Sequence, residues 1–279
     1  MTEPRLVLGD LDLSSVDAQG VRWITTDVDG WDDSPGSTLS LTQKARASGG
    51  WAGSAYDTPR HIVAKGYLFA PSSAVRGAAM DRIKSTCSLE DTVLTVIDDD
   101  DTRWVTVRRS DQTIVRRSGE LEAEWSIQVA SADHRKFGAT LTDSTALPST
   151  SGGLTIPYTI PYSINSTQVS GQVSLTNPGN TPGPVRLRID GPITGPVVTH
   201  VSSGLRLVFA ASLALGVGEF LTVDMESQLV LAQGQSGRAN WVTSRGWSQF
   251  EPGVNTWAFT AVGYSAGALL TVSADPSWQ

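Results

Sequence analysis

Apolar and polar residues alternate with a period of two through both halves of the chain. Leu121, Ala123, Trp125, Ile127 and Val129 alternate with Glu120, Glu122, Glu124, Ser126 and Gln128, the spacing of a strand buried on one face and wetted on the other. Val185, Leu187 and Ile189 repeat the pattern against Arg186, Arg188 and Asp190; Leu205, Leu207 and Phe209, then Leu221, Val223 and Met225, continue it. Gly and Pro turns separate these short runs. TVLTVI (92–97) and RWVTVRR (103–109) flank Asp98–Asp101 and predict a hairpin with an acidic tip. The fold class expected is mainly β.

One segment departs from this period. After Pro71, SSAVRGAAMDRIKSTC places Val75, Ala79, Ile83 and Cys87 four apart with Met80 beside them, and Arg76, Asp81 and Lys84 on other faces. That spacing predicts a single amphipathic helix, capped by Ser72 or Ser73 through a hydroxyl that accepts from an unpaired backbone N–H. Cys87 then lies on the apolar stripe as a buried structural thiol.

FGATLTDSTALPSTSGG (137–153) has little periodicity and reads as a domain boundary. A cut near 145 gives domains 1–145 and 146–279. Beyond it, Ile156, Tyr158, Ile160, Tyr162 and Ile164 alternate, with Pro157 and Pro161 on the opposite phase. Each proline removes a ladder donor, so this strand is expected at a sheet edge. No internal repeat is evident.

The aromatic stretch WSQFEPGVNTWAF (247–259) places Trp247 and Phe250 before a Pro-Gly turn and Trp257 and Phe259 after it, which predicts a hairpin. Period-two placement favours core packing of these rings. The competing reading is a sugar contact through Trp247 and Trp257, with Gln249, Asn255 and Asn240 as polar neighbours.

Composition narrows the partners. The 279 residues are 39% hydrophobic and 18% charged, with 27 Gly and 14 Pro, which suits a turn-rich globular protein. Net charge is -7, so no overall positive field draws nucleic acid or anionic lipid. The start, MTEPRLVLGDLDL, has neither the basic nor the apolar region of a leader, and no apolar run approaches the roughly 18 residues of a membrane span. Synthesis in the cytoplasm is the expectation. The single Cys87 leaves no internal disulfide and no CxxC metal site. Asn165-Ser166-Thr167 matches a glycosylation acceptor but, without a leader, reads as a polar turn.

Candidate chemistry is sparse. Gly263-Tyr264-Ser265-Ala266-Gly267 matches a nucleophile elbow, but strand-like ALLTVSA follows it and no histidine comes after, so a hairpin turn is the better reading. His61, His134 and His200 are scattered and are expected at the surface or an interface. Asp98–Asp101 and the set Asp27, Asp29, Asp32 and Asp33 lack calcium-loop spacing and read as solvated loops. No cofactor fingerprint occurs. Arg108-Arg109 and Arg116-Arg117 are the basic doublets, and in an acidic chain they point to carboxylates of a neighbouring subunit. An enzyme of this size usually shows converging acid, base or metal ligands, so a structural or binding role gains weight.

The order of features resembles the distal tail protein (Dit) family of long-tailed bacteriophages, also described as siphovirus tail component proteins. GGWAGSAYDTPRHIVAKGYL (49–68), the helix, the hairpin and ELEAEWSIQVASAD (120–133) are similar to the family's N-terminal belt domain. GEFLTVDMESQLVLAQG (218–234), RGWSQFEPGVNTWAFT (245–260) and ALLTVSADPSW (268–278) resemble its C-terminal galectin-like β-sandwich. The resemblance implies a hexameric ring at the end of the tail tube, joining tube protein to tip, hub or baseplate proteins. Belt domains would close the ring by strand pairing while the sandwiches project as a platform. It brings no catalytic residues, and this sequence departs from some members in having no long insertion in the sandwich, which argues against an added carbohydrate module. The alternatives are a lectin-like protein for host-surface recognition and an enzyme.

Overall fold

The computed structural model describes residues 4–99, 101–152, 166–263 and 265–279. The chain is mainly β with one α-helix among the described residues, and it divides into two units, Met1–Gly138 with Trp278–Gln279, and Ala139–Ser277. The strand expected over 156–164 lies outside the described residues.

The first unit runs β1 (Arg5–Leu8), β2 (Leu11–Asp12), β3 (Arg22–Asp29), β4 (Ser37–Gln43), β5 (Gly50–Asp57), β6 (Arg60–Phe69), α1 (Ser73–Thr86), β7 (Thr92–Asp98), β8 (Asp101–Arg109), β9 (Ile114–Arg117), β10 (Glu122–Ser131) and β11 (Lys136–Phe137). Its main sheet has the order β2-β1-β7-β8-β10-β6-β3, with β9 beside β10. β6 and β10 pair over ten residues, Glu122 opposite Phe69 through Ser131 opposite Arg60. The alternating residues of β10 behave as their period requires, with Ala123, Trp125, Ile127 and Val129 all buried. Gly66 on β6 faces Trp125, and a Cβ there would collide with both the Ile24 carbonyl oxygen and the Trp125 ring. The expected 92–109 hairpin is β7–β8, in register from Thr92↔Val107 to Asp98↔Asp101.

Helix α1 begins at Ser72, whose Oγ accepts from the Val75 N–H at 3.3 Å. Ala79 and Ile83 are buried on it, and Cys87 is its buried C-cap residue. Burial raises the Cys87 thiol above its ordinary pKa. One expectation fails: Arg76, placed on a polar face by periodicity, is only 8% exposed. Its Nη1 donates to the carbonyls of Gly119 and Glu120. A guanidinium can satisfy otherwise unpaired backbone acceptors inside a protein, and a one-dimensional charge pattern does not show where such acceptors lie.

Three further cations are buried, Arg60, Arg135 and Lys136. Arg60, 2% exposed, donates through Nη1 to the carbonyls of Gly30, Trp31 and Asp33 at 2.9, 3.3 and 2.7 Å. Lys136 Nζ donates to the Trp31 carbonyl at 2.8 Å. Burial, with the neighbouring Arg60 and Arg103 charges, brings Lys136 down to about 8.

The second unit is a two-sheet sandwich. Its strands are β12 (Leu141–Ala146), β13 (Ser149–Gly152), β14 (Ser166–Val169), β15 (Gln172–Asn177), β16 (Val185–Asp190), β17 (Ile193–Thr194), β18 (Val197–His200), β19 (Arg206–Phe209), β20 (Ala214–Leu215), β21 (Phe220–Asp224), β22 (Leu229–Ala232), β23 (Ser236–Gly237), β24 (Val242–Arg245), β25 (Gly253–Thr260) and β26 (Leu269–Ala274). One sheet has the order β12-β26-β16-β21-β22-β23 and the other β15-β25-β18-β19-β24. Leu187, Leu221 and Val272 of the first join Val173, Val198 and Trp257 of the second in one buried cluster. This is how two half-buried sheets satisfy their apolar faces. The stretch expected to hold the boundary contains β12, which pairs with β26 from Leu141↔Ala274 to Ala146↔Leu269.

Two turn expectations are corrected here. Residues 247–250 do not form the first arm of a hairpin, because β25 pairs with β15 and β18. Ser265-Ala266-Gly267 precedes β26 as a turn, but β25 and β26 belong to different sheets, so it is a crossing between layers; Tyr264 lies outside the described residues. In both cases the alternation identified a strand correctly and adjacency in sequence misassigned its partner.

Candidate assembly surfaces

The aromatic stretch is a core element. Trp257 and Phe259 are 0% exposed, and the Trp257 indole N–H donates to Ser248 Oγ at 3.1 Å. Trp247 is half-buried against the same core. The reading of Trp257 as a sugar contact is therefore corrected, since a ring must be open to solvent to stack on a sugar. Asn255, proposed as a polar neighbour, is also buried and fully engaged. Its Nδ2 donates to the carbonyls of Glu251 at 2.6 Å and Gly253 at 2.9 Å, and its Oδ1 accepts from the Glu251 N–H at 3.0 Å.

His200 completes that network and departs from its expected surface position, being 2% exposed. Its Nε2 lies 3.1 Å from Asn255 Oδ1 and its Nδ1 2.7 Å from Ser203 Oγ. Because an amide oxygen only accepts, Nε2 carries the proton and Nδ1 accepts from the hydroxyl. Burial lowers the His200 pKa and so favours this neutral form. The arrangement pins the loop before β25 and presents no free acid or base. His61 is exposed, and His134 is half-buried near Asp57 and Asp133, 3.7 and 3.6 Å away.

The arginine doublets separate in structure. Arg108 is engaged within the chain: Nε and Nη2 donate to the two oxygens of Asp91 at 2.6 and 3.0 Å. This hydrogen-bonded pairing lowers the Asp91 pKa and raises that of Arg108. Arg109 is half-buried. Arg116 and Arg117 are exposed on β9, which among the described residues pairs with β10. Arg116 and Lys65 line a groove of about 320 Å³ above Gly66. Of the acidic sets, Asp27 and Asp29 flank Lys65 at 3.7 and 2.8 Å. Asp101 pairs with Arg103.

The surface feature that period counting did not single out is the ribbon β4–β5. Its strands pair antiparallel from Ser37↔Asp57 to Gln43↔Gly50, yet every residue in both strands is exposed. Leu39, Leu41, Trp51 and Tyr56 are 51%, 66%, 67% and 69% exposed. A two-stranded ribbon is marginal on its own in water, and large exposed apolar surface marks contact with another molecule. The sequence does carry a signal: Leu39 and Leu41 alternate with Thr38, Ser40 and Thr42. That pattern specifies an apolar strand face without saying which molecule covers it.

Open edges add to the available backbone. β3 ends one side of the main sheet, and β12, β23, β15 and β24 end the two sheets of the sandwich. Unpaired N–H and C=O groups on such strands are templates for pairing with another chain.

No protein-family model matches the chain, and no curated protein matches it in sequence. Among solved structures it is similar to the Dit protein of SPP1, described as a paradigm of the hub adsorption apparatus in phages that infect Gram-positive bacteria. That likeness has a TM-score of 0.70 at 10% identity and covers 100% of both chains. A chain of the phage P2 baseplate in its activated conformation with Ca aligns at TM-score 0.49 and 11% identity, over 98% of each chain. At such low identity the similarity speaks to architecture: from end to end, this chain has the fold of the SPP1 Dit protein.

Proposed function

We propose that this chain is a structural protein of a phage tail, forming a hexameric ring at the distal end of the tail tube and connecting the tube to tip, hub or baseplate proteins. The observation that carries the reading is the fold shared with a phage hub protein along the whole of both chains. A partial match could come from one common sandwich, whereas a full-length match requires both units in the same order.

The surfaces support the same role. In this reading the N-terminal unit closes the ring, using the exposed ribbon and the end strand β3. Ribbon and edge are different surfaces, so contact between copies is head-to-tail, the type that closes into a ring when the rotation permits. Arg116 and Arg117 are placed on an exposed strand where they can meet carboxylates of a neighbouring subunit. The C-terminal sandwich serves as the platform for other tail proteins. No reaction is assigned: the hydrogen bond between Ser203 and the buried His200 lies within the turn joining β18 to β19, where Nε2 is held by Asn255, and Ser265 lies in the turn before β26.

Electron microscopy of the purified protein, with light scattering at tens of micromolar, tests this reading. Closed rings with six-fold symmetry are expected. A monomer that persists when tail-tube and tip proteins are added contradicts it.

A further inference from the structure

The exposed ribbon has a charge of its own. From Ser37 to Asp57 it contains Lys44 and Arg46 near its tip and one acidic residue, Asp57, at its base, within a chain of net charge -7. Removing those two cations from the sum leaves the rest of the chain at -9 (-7 minus 2). At the tip, Lys44 Nζ sits 4.9 Å from the centre of the Trp51 ring, so cation and exposed aromatic form one patch. Two copies of an acidic protein repel unless the contact pairs opposite local charges, and the ribbon is a cationic exception on an acidic body.

The first unit also contains an acidic, apolar-floored counterpart. The loop 10–21 and one side of α1 enclose a groove of about 670 Å³. Its floor includes Leu11, Val21 and Ala79, all buried, and Ala78 leaves room above them. Asp10, Asp12 and Asp17 line it. Asp12 is held by Arg5, while Arg82 stands 3.6 Å from Asp10 and 3.5 Å from Asp17. Asp10, paired with Arg82, keeps its side chain 83% exposed.

We propose that the tip of the ribbon on one copy, Lys44 to Trp51, docks in the groove between loop 10–21 and α1 of the next copy. This rests on the ring reading and names the surfaces through which neighbours meet. Trp51 covers the apolar floor, and Lys44 and Arg46 face Asp10 and its neighbours. Each copy gives one ribbon and receives one, as a head-to-tail ring requires.

The test places a photo-crosslinking benzoylphenylalanine at position 51 of the full-length protein and maps the covalent dimer by mass spectrometry. Crosslinks to residues 10–21 or 75–82 of the second copy are expected. Oligomers that crosslink elsewhere overturn the docking and leave the ring reading standing; absence of any oligomer before irradiation overturns both. Charge exchange gives an independent readout. Lys44→Glu with Arg46→Glu weakens association about tenfold, Asp10→Lys alone also weakens it, and the triple variant recovers part of the loss. Purely additive losses in the triple variant, with melting temperatures unchanged, count against the pairing.

Discussion

Two antiparallel pairs in the first unit, each with a strand of alternating apolar residues, differ in fate. β6 and β10 bury alternate residues along their ten-residue pairing, including Trp125 at 2% exposure. β4 and β5 pair along the seven residues of β4 and bury none, leaving Trp51 at 67%. Burial of a large aromatic stabilises by roughly 1.5–3 kcal/mol, so the first pair helps hold its own fold together and the second does not. The difference shows that a two-residue period specifies a strand with one apolar face and leaves open whether the cover comes from the same chain. In the proposed ring, it comes from a neighbour.

The comparison can be broken first at its buried side. Trp125→Ala removes a buried ring and its hydrogen bond to the Tyr67 carbonyl, and is expected to destabilise the protein by about 3–5 kcal/mol in denaturant unfolding. A loss below 1 kcal/mol would show that this pair does not anchor the core. Gly66→Ala puts a methyl group against the Ile24 carbonyl and the Trp125 ring; the backbone or ring must shift, at a cost of about 1–3 kcal/mol read by the same unfolding curves.

Lys136 sharpens the comparison through pH. Its charged form is disfavoured in the fold, where its pKa is about 8 against 10.5 as the ordinary value. Between those values the unfolded chain binds more protons, so stability rises with pH from about 8 to 10.5, and the full cost is present below about 8. Lys136→Met removes that slope. The stability difference between variant and parent should change across this range by on the order of 1–3 kcal/mol; parallel pH profiles would show that Lys136 is not buried as a cation. The smallest effect belongs to the ribbon: Trp51→Ala should alter unfolding stability by no more than about 0.5 kcal/mol, while lowering the affinity between copies.

Much of this was legible in sequence. The alternation at 123–129, 185–189 and 221–225 located strands and their buried faces, although Leu121, placed on the same face, is exposed just before β10, and the four-residue spacing of Ala79, Ile83 and Cys87 located the helix. Pairing at a distance was not legible. Trp257 sits between β15 and β18, which begin at Gln172 and Val197, and nothing local to WSQFEPGVNTWAF names those partners. Buried polar groups were also hidden, because Arg76 Nη1 and the His200 ring find carbonyls and side chains that only the folded chain brings near. The exposure of the ribbon was hidden for the complementary reason, since the alternation of Leu39 and Leu41 matches that of strands which are covered.

Sedimentation velocity of the full chain beside a variant with residues 38–56 replaced by a short Gly-Ser link tests the central claim most directly. The account predicts a ring-sized species for the parent and a folded monomer for the variant. Equal oligomers from both, or a monomer from both with tail partners present, would contradict it.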